Sequence, residues 1–147
     1  MDRKTRRKQI DQAIKTIVVT FLRQQSFRGS LPHFRRYRAN RVNLLTFQHS
    51  MDRPAFVVEL ANCPSSGIKD VYGNQLPASK VTAHHMFHRF RLGSDVFGGD
   101  YWFNYGGSLR FVDVFQQQAD AVVALWENAE RWWAADPFGQ RDVNKQS

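Results

Sequence analysis

The sequence of 147 residues is long enough for one folded domain, and 42% of its residues are hydrophobic, including twelve Phe and four Trp. This composition argues against disorder over most of the chain. No apolar run approaches the roughly 18 to 20 residues that a membrane-spanning helix needs. The lone Cys63 excludes an intrachain disulfide and a thiolate metal cage. We therefore expect a cytoplasmic protein that has no membrane partner.

The net charge of +8 is distributed unevenly along the chain. Residues 1–41 hold twelve Lys and Arg against two acids, whereas residues 42–147 hold nine against eleven. An N-terminal basic region of this kind is typical of proteins that contact nucleic acid or another anionic surface. A solvated helix face followed by an outer strand face gives the same count, so both interpretations stay open.

The first half of the chain predicts one helix and three strands. Apolar residues recur at three- and four-residue steps over 7–24, which indicates a helix with one buried stripe, preceded by a flexible tail over 1–6. Three β-rich runs at 33–38, 42–49 and 55–61 are separated by turn-prone residues. They predict an antiparallel meander with one apolar face.

The second half begins with a breaker-rich segment, 62–80, which we expect to be a mobile loop. A strand is favoured over a helix for about 87–92, and aromatic residues predict another strand over 100–105. A long amphipathic helix is expected over 113–135. Its apolar stripe is expected to pack in the core. The same three- and four-residue spacing would also allow the helix to pair with a second copy of the chain, so a homodimer stays an alternative. Residues 139–147 form an expected flexible tail.

These elements predict a single α+β domain over residues 1–147, built on an antiparallel sheet of about five strands. The N-terminal and C-terminal helices each carry one apolar stripe. We expect both helices to cover the same face of the sheet, because the alternating strands can bury both stripes there.

The sequence contains no nucleophile elbow, phosphate-binding loop or dinucleotide glycine fingerprint. The dense histidine cluster His84, His85 and His88 is the candidate for a metal or hydrolase site, since a helix would align His84 with His88 at the i, i+4 spacing of metal ligands. A strand would separate the ligands. Cys63 has no charged neighbour that would activate its thiol. We therefore expect no cofactor and favour a noncatalytic protein, with a small hydrolase or metal enzyme that uses this histidine cluster as the alternative.

Cations and rings alternate along the first predicted strand, a mixture that proteins use to hold single-stranded nucleic acid. The residues concerned are Phe34, Arg35, Arg36, Tyr37, Arg38 and Arg41. The competing interpretation is a solvated strand face on which the aliphatic parts of the Arg side chains cover apolar surface. Nucleic-acid binding is therefore an alternative function.

Arg89 and Arg91 point to one side of their predicted strand, where acids such as Asp100 or Glu59 would form an ion-pair network with them. An Arg left unpaired at the rim of an aromatic pocket would instead clamp a carboxylate or phosphate. The candidate ligand-binding residues are Gln48, Arg89, Arg91, Asp100 and Trp102.

Several short motifs occur in a characteristic order. They are Phe27, Phe34-Arg35-Arg36, Val42-Asn43 leading to Phe47-Gln48, His88-Arg89-Phe90-Arg91-Leu92-Gly93, and Asp100-Tyr101-Trp102-Phe103. In these motifs the chain resembles the bacterial family catalogued as domain of unknown function 4304. The resemblance implies an α+β fold with flanking helices in a bacterial intracellular protein. It supplies no catalyst, cofactor or substrate, and it covers neither the basic N-terminal extension nor the loop around 71–77.

The leading hypothesis from the sequence is a noncatalytic binding or interaction domain for an anionic ligand or a protein partner. The absence of a complete catalytic set, together with Arg89, Arg91 and Trp102, motivates it.

Overall fold

The computed structural model describes residues 1–135 of the chain. The first helical segment runs without a gap through α1 (Arg3–Ala13), a π-helical stretch (Ile14–Val19) and α2 (Thr20–Gln24). It begins four residues before the predicted start, because the Asp2 side chain caps it by accepting from the backbone N–H of Thr5 at 2.7 Å. Residues 3–6, expected in a tail, are therefore helical. The tail expected over 139–147 lies outside the described residues.

The remaining elements are strands of two to ten residues, small helical turns and two C-terminal helices. The strands are β1 (Arg28–Ser30), β2 (His33–Tyr37), β3 (Arg41–His49), β4 (Ala55–Pro64), β5 (Ile68–Lys69), β6 (Gln75–Leu76), β7 (Arg89–Arg91) and β8 (Phe103–Asn104). The helices are α3 (Ser94–Phe97), α4 (Val114–Ala124) and α5 (Trp126–Ala135). None of the helices in residues 1–135 combines the length and the apolar character needed to cross a membrane.

The main sheet is antiparallel and has the order β1-β2-β3-β4-β7, with β8 also pairing with β4. One face carries the alternating apolar residues of the strands and is covered by the helical segments. The core there includes Ile10, Ile14, Val18, Leu22, Phe34, Leu45, Phe56, Val58, Leu60, Val122, Trp126 and Trp133. This confirms the predicted α+β architecture with both terminal helices on one face.

The second face of the sheet is partly covered by the segment that follows β4. Two 3₁₀ turns, Ala78–Lys80 and Ala83–His85, bury small residues against it. The cluster comprises Val42, Leu44, Ala61, Cys63, Ala78, Val81 and Ala83. Residues 62–80, expected to be a mobile loop, therefore contain the end of β4, the β5–β6 hairpin and the first 3₁₀ turn, and they shield part of this face.

The C-terminal helix predicted over 113–135 is divided in two. Asp113 caps α4 by accepting from the backbone N–H groups of Phe115 and Gln116 at 3.0 and 3.1 Å. Leu125 leaves the helical conformation, with φ −94° and ψ 12°, so α5 starts afresh at Trp126. The apolar stripe nevertheless packs into the core through both helices.

A buried guanidinium connects the sheet to α5. Arg36 donates through Nε to Asn43 Oδ1 at 2.9 Å, and its other nitrogens pair with the Glu130 carboxylate. The guanidinium lies 4.7 Å from the ring centroid of Phe27 and 5.2 Å from that of Trp133. The charge is thus buried but has a counter-ion and two aromatic neighbours.

Amide groups extend this connection across the sheet. Asn43 donates to Asn62 Oδ1 at 2.8 Å, and Asn62 donates to the backbone carbonyl of Trp133 at 3.2 Å. The Trp133 indole N–H in turn donates to the carbonyl of Ala61 at 3.1 Å. These bonds fix α5 over β3 and β4 at one position.

Replacing Glu130 by Gln should lower the free energy of unfolding by about 2 kcal/mol, because Arg36 would keep its buried charge without a counter-ion. Urea denaturation measures the loss. The control is Glu127→Gln on the exposed side of the same helix, which should change stability little. Equal effects of the two substitutions would contradict this role of the ion pair.

Candidate functional site

A cleft of about 740 Å³ opens between the start of α1 and the turn that joins β3 to β4, residues 50–54. Its lining is Arg3, Lys4, Arg7, Lys8, Pro32, Phe47, Gln48, His49, Ser50, Met51, Arg53 and Tyr105. We call it the basic cleft. Five of these side chains are cationic, and no Asp or Glu is among the described residues that line it.

The helix periodicity explains why four of the cations are together. Residues 3, 4, 7 and 8 lie on one side of a helix, one turn apart. Two carboxylates lie near the cleft: Asp11 pairs with Arg7 at 3.4 Å, and Asp52 accepts from the Ser50 hydroxyl at 2.7 Å. Five cations against two carboxylates leave the cleft strongly positive, and such a site attracts anions.

The position of these cations is unfavourable for the helix itself. Cations near a helix N-terminus oppose the helix dipole, and the first turn of α1 contains no acidic residue. The Asp2 cap offsets part of this cost, and the hydrogen bonds from Thr5 hold the pKa of Asp2 below its ordinary value. An anion bound in the basic cleft would offset more of it.

Backbone contacts hold the walls of the basic cleft in place. The guanidinium of Arg3 donates to the carbonyl of Met51 in the β3–β4 turn. Arg6 donates to the carbonyls of Tyr105 and Gly107 at 2.9 and 3.2 Å. The start of α1 is therefore tied both to the turn and to the chain after β8.

Behind the cations, His49 joins the helix to the sheet. Its Nε2 lies 3.2 Å from Asp11 Oδ1, and its Nδ1 lies 3.1 Å from the Tyr105 hydroxyl. Burial raises the pKa of Asp11, but the hydrogen bond from His49 and the charges of His49 and Arg7 outweigh it, so the pKa lies below its ordinary value of 3.8. Burial raises the pKa of Tyr105, which keeps its phenol protonated.

Replacing Asp11 by Asn should lower stability by about 1 kcal/mol at neutral pH, since half-exposed ion pairs contribute little more. The lowered pKa of Asp11 means that its contribution is present above 3.8 and is lost as the pH falls through the folded-state pKa. The unfolding free energies of wild type and variant should therefore become equal in acid, and denaturation at several pH values measures both. Asp120→Asn, on the exposed side of α4, is the control. A difference that persists in acid would contradict the assignment.

The two arginines predicted as ligand contacts are on β7 and face Glu59 of β4. Arg89 Nη1 and Arg91 Nε each lie 3.4 Å from the Glu59 carboxylate, and Arg91 Nη1 lies 3.1 Å from Asp100. The structure therefore brings Arg89, Arg91 and Asp100 together. Two cations meet two carboxylates there, so the group has no excess charge.

Trp102 connects this ion-pair group to the basic cleft. The guanidinium of Arg91 lies 5.3 Å from its ring centroid, and that of Arg53 lies 4.8 Å away. Arg53 and Gln48 both line the cleft. The predicted residues are thus contiguous but play different parts, with Gln48 in the cleft and Trp102 behind one of its cations.

A polar row crosses the second face of the sheet beside this group. Register places His33, Thr46, Glu59 and Arg91 opposite one another on four successive strands. His33 Nδ1 lies 2.9 Å from the Thr46 hydroxyl. Burial lowers the pKa of His33, as do the nearby His84 and Arg35. Glu59 is buried, and its Oε2 accepts no hydrogen bond.

The predicted histidine cluster is dispersed. His84 Nε2 lies 3.9 Å from Glu59, His85 accepts from the backbone N–H of Thr82 at 2.9 Å, and His88 stacks on Trp132. The helix that would align His84 with His88 does not form, because the 3₁₀ turn ends at His85. Within residues 1–135, no three potential ligands converge as a metal site would require.

The basic and aromatic residues of β2 do not share a surface. Phe34 and Arg36 are buried beneath the helices, whereas Arg35 and Tyr37 point to the other face, as the period of two along a strand requires. Arg35 donates to the carbonyl of Val81 at 3.0 Å. Arg38 and Arg41 flank the β2–β3 turn, where Arg41 donates to the carbonyl of Trp133 at 2.8 Å.

The family model described as "Domain of unknown function (DUF4304)" matches residues 17–135. The chain belongs to this family. No curated protein and no solved structure matches it. In this DUF4304 protein the matched residues include Glu59, Arg91 and Arg53, whereas the cations of α1 lie before the match.

The sequence indicated a basic contact region at the N-terminus of the DUF4304 protein, but the candidate residues named for it were on and beside β2, and the α1 cations were not among them. The charge excess of residues 1–41 was the available signal, together with the spacing of 3, 4, 7 and 8. Placing the helix start at Arg7 hid that spacing, since it left residues 1–6 in a tail. Arg53 gave no local signal, because its contacts with the cleft depend on the tertiary fold.

Cys63 of the DUF4304 protein is buried, and burial raises the pKa of its thiol to about 11. We expect alkylation by iodoacetamide in mildly alkaline buffer to be about a hundredfold slower in the folded protein than after denaturation. Mass spectrometry measures the rate. Labelling of the folded chain as fast as that of the unfolded chain would contradict the passive role of this thiol.

Proposed function

We propose that this protein is a noncatalytic binding domain that holds a ligand with several negative charges in the basic cleft. The observation that carries the proposal is the convergence of five cationic side chains in a cleft whose described lining includes no acid. Phosphate or carboxylate groups are suitable ligands, because Lys and Arg form charge-assisted hydrogen bonds with them. The expected cytoplasmic location suits such a ligand, since phosphorylated molecules are present there.

The charge balance favours the basic cleft over the Arg89 and Arg91 pair as the place for an anion. Glu59 and Asp100 already neutralise those two guanidinium groups, so an anion there would have to displace a buried carboxylate. Lys4 and Lys8 instead point to solvent. A ligand in the cleft therefore gains attraction without breaking an existing buried pair.

The residues predicted from the sequence keep roles in this proposal. Gln48 supplies an amide donor at the rim of the cleft. Trp102 positions Arg53 by stacking, and Arg91 holds Trp102 from within the ion-pair group formed with Arg89 and Asp100. Gln48 and Arg53 would contact the ligand directly, whereas the other residues would only hold Arg53 in position.

A nucleic acid is the second candidate, supported by the same excess of cations at the N-terminus. The residues predicted for it on β2 do not form one exposed surface, so the contact would use the basic cleft. Affinity for an oligonucleotide would then fall steeply with salt, by roughly 0.7 to 0.9 units of log K per phosphate contact and log unit of salt.

Replacing Lys4 and Lys8 together by Glu should weaken binding of inorganic tripolyphosphate at least about tenfold, because two attractions become repulsions. Isothermal titration calorimetry measures the affinity. The matched control is Lys15→Glu with Lys80→Glu, which changes the net charge equally at exposed positions outside the cleft.

The two double variants distinguish a site from a general charge effect. Tripolyphosphate that binds wild type and both variants equally would show that the basic cleft is not the binding site. Equal weakening by both variants would show that only the net charge matters. An oligonucleotide that binds with the same dependence on Lys4 and Lys8, while tripolyphosphate does not bind, would favour the second candidate.

A further inference from the structure

Exposed apolar side chains surround the basic start of α1. Met51, in the β3–β4 turn that walls the basic cleft, is 93% exposed. Phe111 is 85% exposed in the loop of residues 106–113, which precedes α4, and Met1 is 62% exposed. Isolated exposed apolar residues are common on protein surfaces, such as Val71 and Phe87 here, whereas apolar groups beside a cationic site are typical of interaction surfaces.

The 106–113 loop is attached to the same helical turns as the basic cleft. A second cavity, of about 470 Å³, separates α1 from this loop and is lined by Met1, Gln9, Leu109, Arg110, Phe111, Val112, Asp113 and Phe115. Arg6 donates to the carbonyls of Tyr105 and Gly107 at the base of the loop. The cleft and the loop therefore lie on opposite sides of the first turns of α1 and present cations and apolar groups together.

The chemistry of the exposed groups selects among anionic partners. A free polyphosphate offers nothing to Met51, Leu109 or Val112. Bases of a nucleic acid stack on rings, and of these exposed side chains only Phe111 has one, so Met51, Leu109 and Val112 would contribute nothing to stacking. A bilayer containing anionic lipids presents negative headgroups above an apolar layer, which matches cations flanked by protruding apolar side chains.

We propose that the partner of the basic cleft is the surface of an anionic bilayer, and that Leu109, Phe111 and Met51 insert at its headgroup boundary. This inference rests on the proposed anion-binding function and names its ligand. The protein lies on the surface and does not span it, consistent with the absence of a spanning helix in residues 1–135. The expectation of no membrane partner rested on the absence of a spanning segment from the sequence. That absence does not exclude binding at the membrane surface.

Two kinds of contact together explain the strength of such an association. Each Lys or Arg close to an anionic surface raises the partition coefficient about fivefold. Inserted apolar side chains add to this, and they confine the protein to membranes rather than to any polyanion. Loss of either contribution should therefore weaken vesicle binding, but only loss of the cations should weaken binding of a soluble anion.

The test compares cosedimentation of the full chain with vesicles of phosphatidylcholine alone and of phosphatidylcholine mixed with phosphatidylglycerol. Wild type should bind the mixed vesicles at least about tenfold more tightly. Replacing Leu109 and Phe111 by Ser should weaken that binding about tenfold and leave tripolyphosphate affinity unchanged. The matched control is Val71→Ser with Tyr72→Ser, which removes side chains that are 94% and 86% exposed from the β5–β6 turn. Circular dichroism confirms that each variant is folded.

The outcomes separate this inference from the function on which it rests. Wild type that binds tripolyphosphate but not the mixed vesicles would overturn the membrane proposal and leave anion binding intact. Failure of wild type to bind tripolyphosphate would overturn the proposed function itself. Equal vesicle binding by the Leu109 and Phe111 variant and by wild type would exclude insertion. An oligonucleotide whose binding depends on Leu109 and Phe111 would replace the bilayer with a nucleic acid.

Discussion

Strand β4 is buried along almost its whole length, and this constraint shapes both faces of the sheet. On one face its side chains pack against the helical segments, so each of those segments must present an apolar stripe. On the other face they need cover from the chain between β4 and β7. A polar residue in such a strand must find partners inside the protein, which explains why Glu59 meets Arg89 and Arg91.

The cost of burying a charge also explains why some cations of this protein are paired within the fold while others are free to contact a ligand. Arg36 and Arg91, within the sheet, each meet a carboxylate, because an unpaired charge there would be strongly destabilising. The cations at the start of α1 are solvated and need no such pairing. A ligand can therefore use them without disturbing the core, which is why the candidate site lies at the edge of the fold rather than on the sheet.

Local patterns predicted much of the fold but little of the site. Periods of two and of about 3.6 identified the central strands and the terminal helices, because each period depends on near neighbours only. β1 was missed, since three residues around Gly29 become a strand only through pairing with β2. The break at Leu125 was also missed, because the apolar stripe continues through it.

The sequence by itself determined the α+β class, the two-sided alternation of the strands and the excess of cations in the first 41 residues. Only the tertiary structure decided which charges are neutralised. Arg91 and Glu59 are far apart in the chain and meet through strand register, whereas Arg53 joins the α1 cations through a turn. Coulomb attraction depends on distance in space, and sequence separation does not specify that distance.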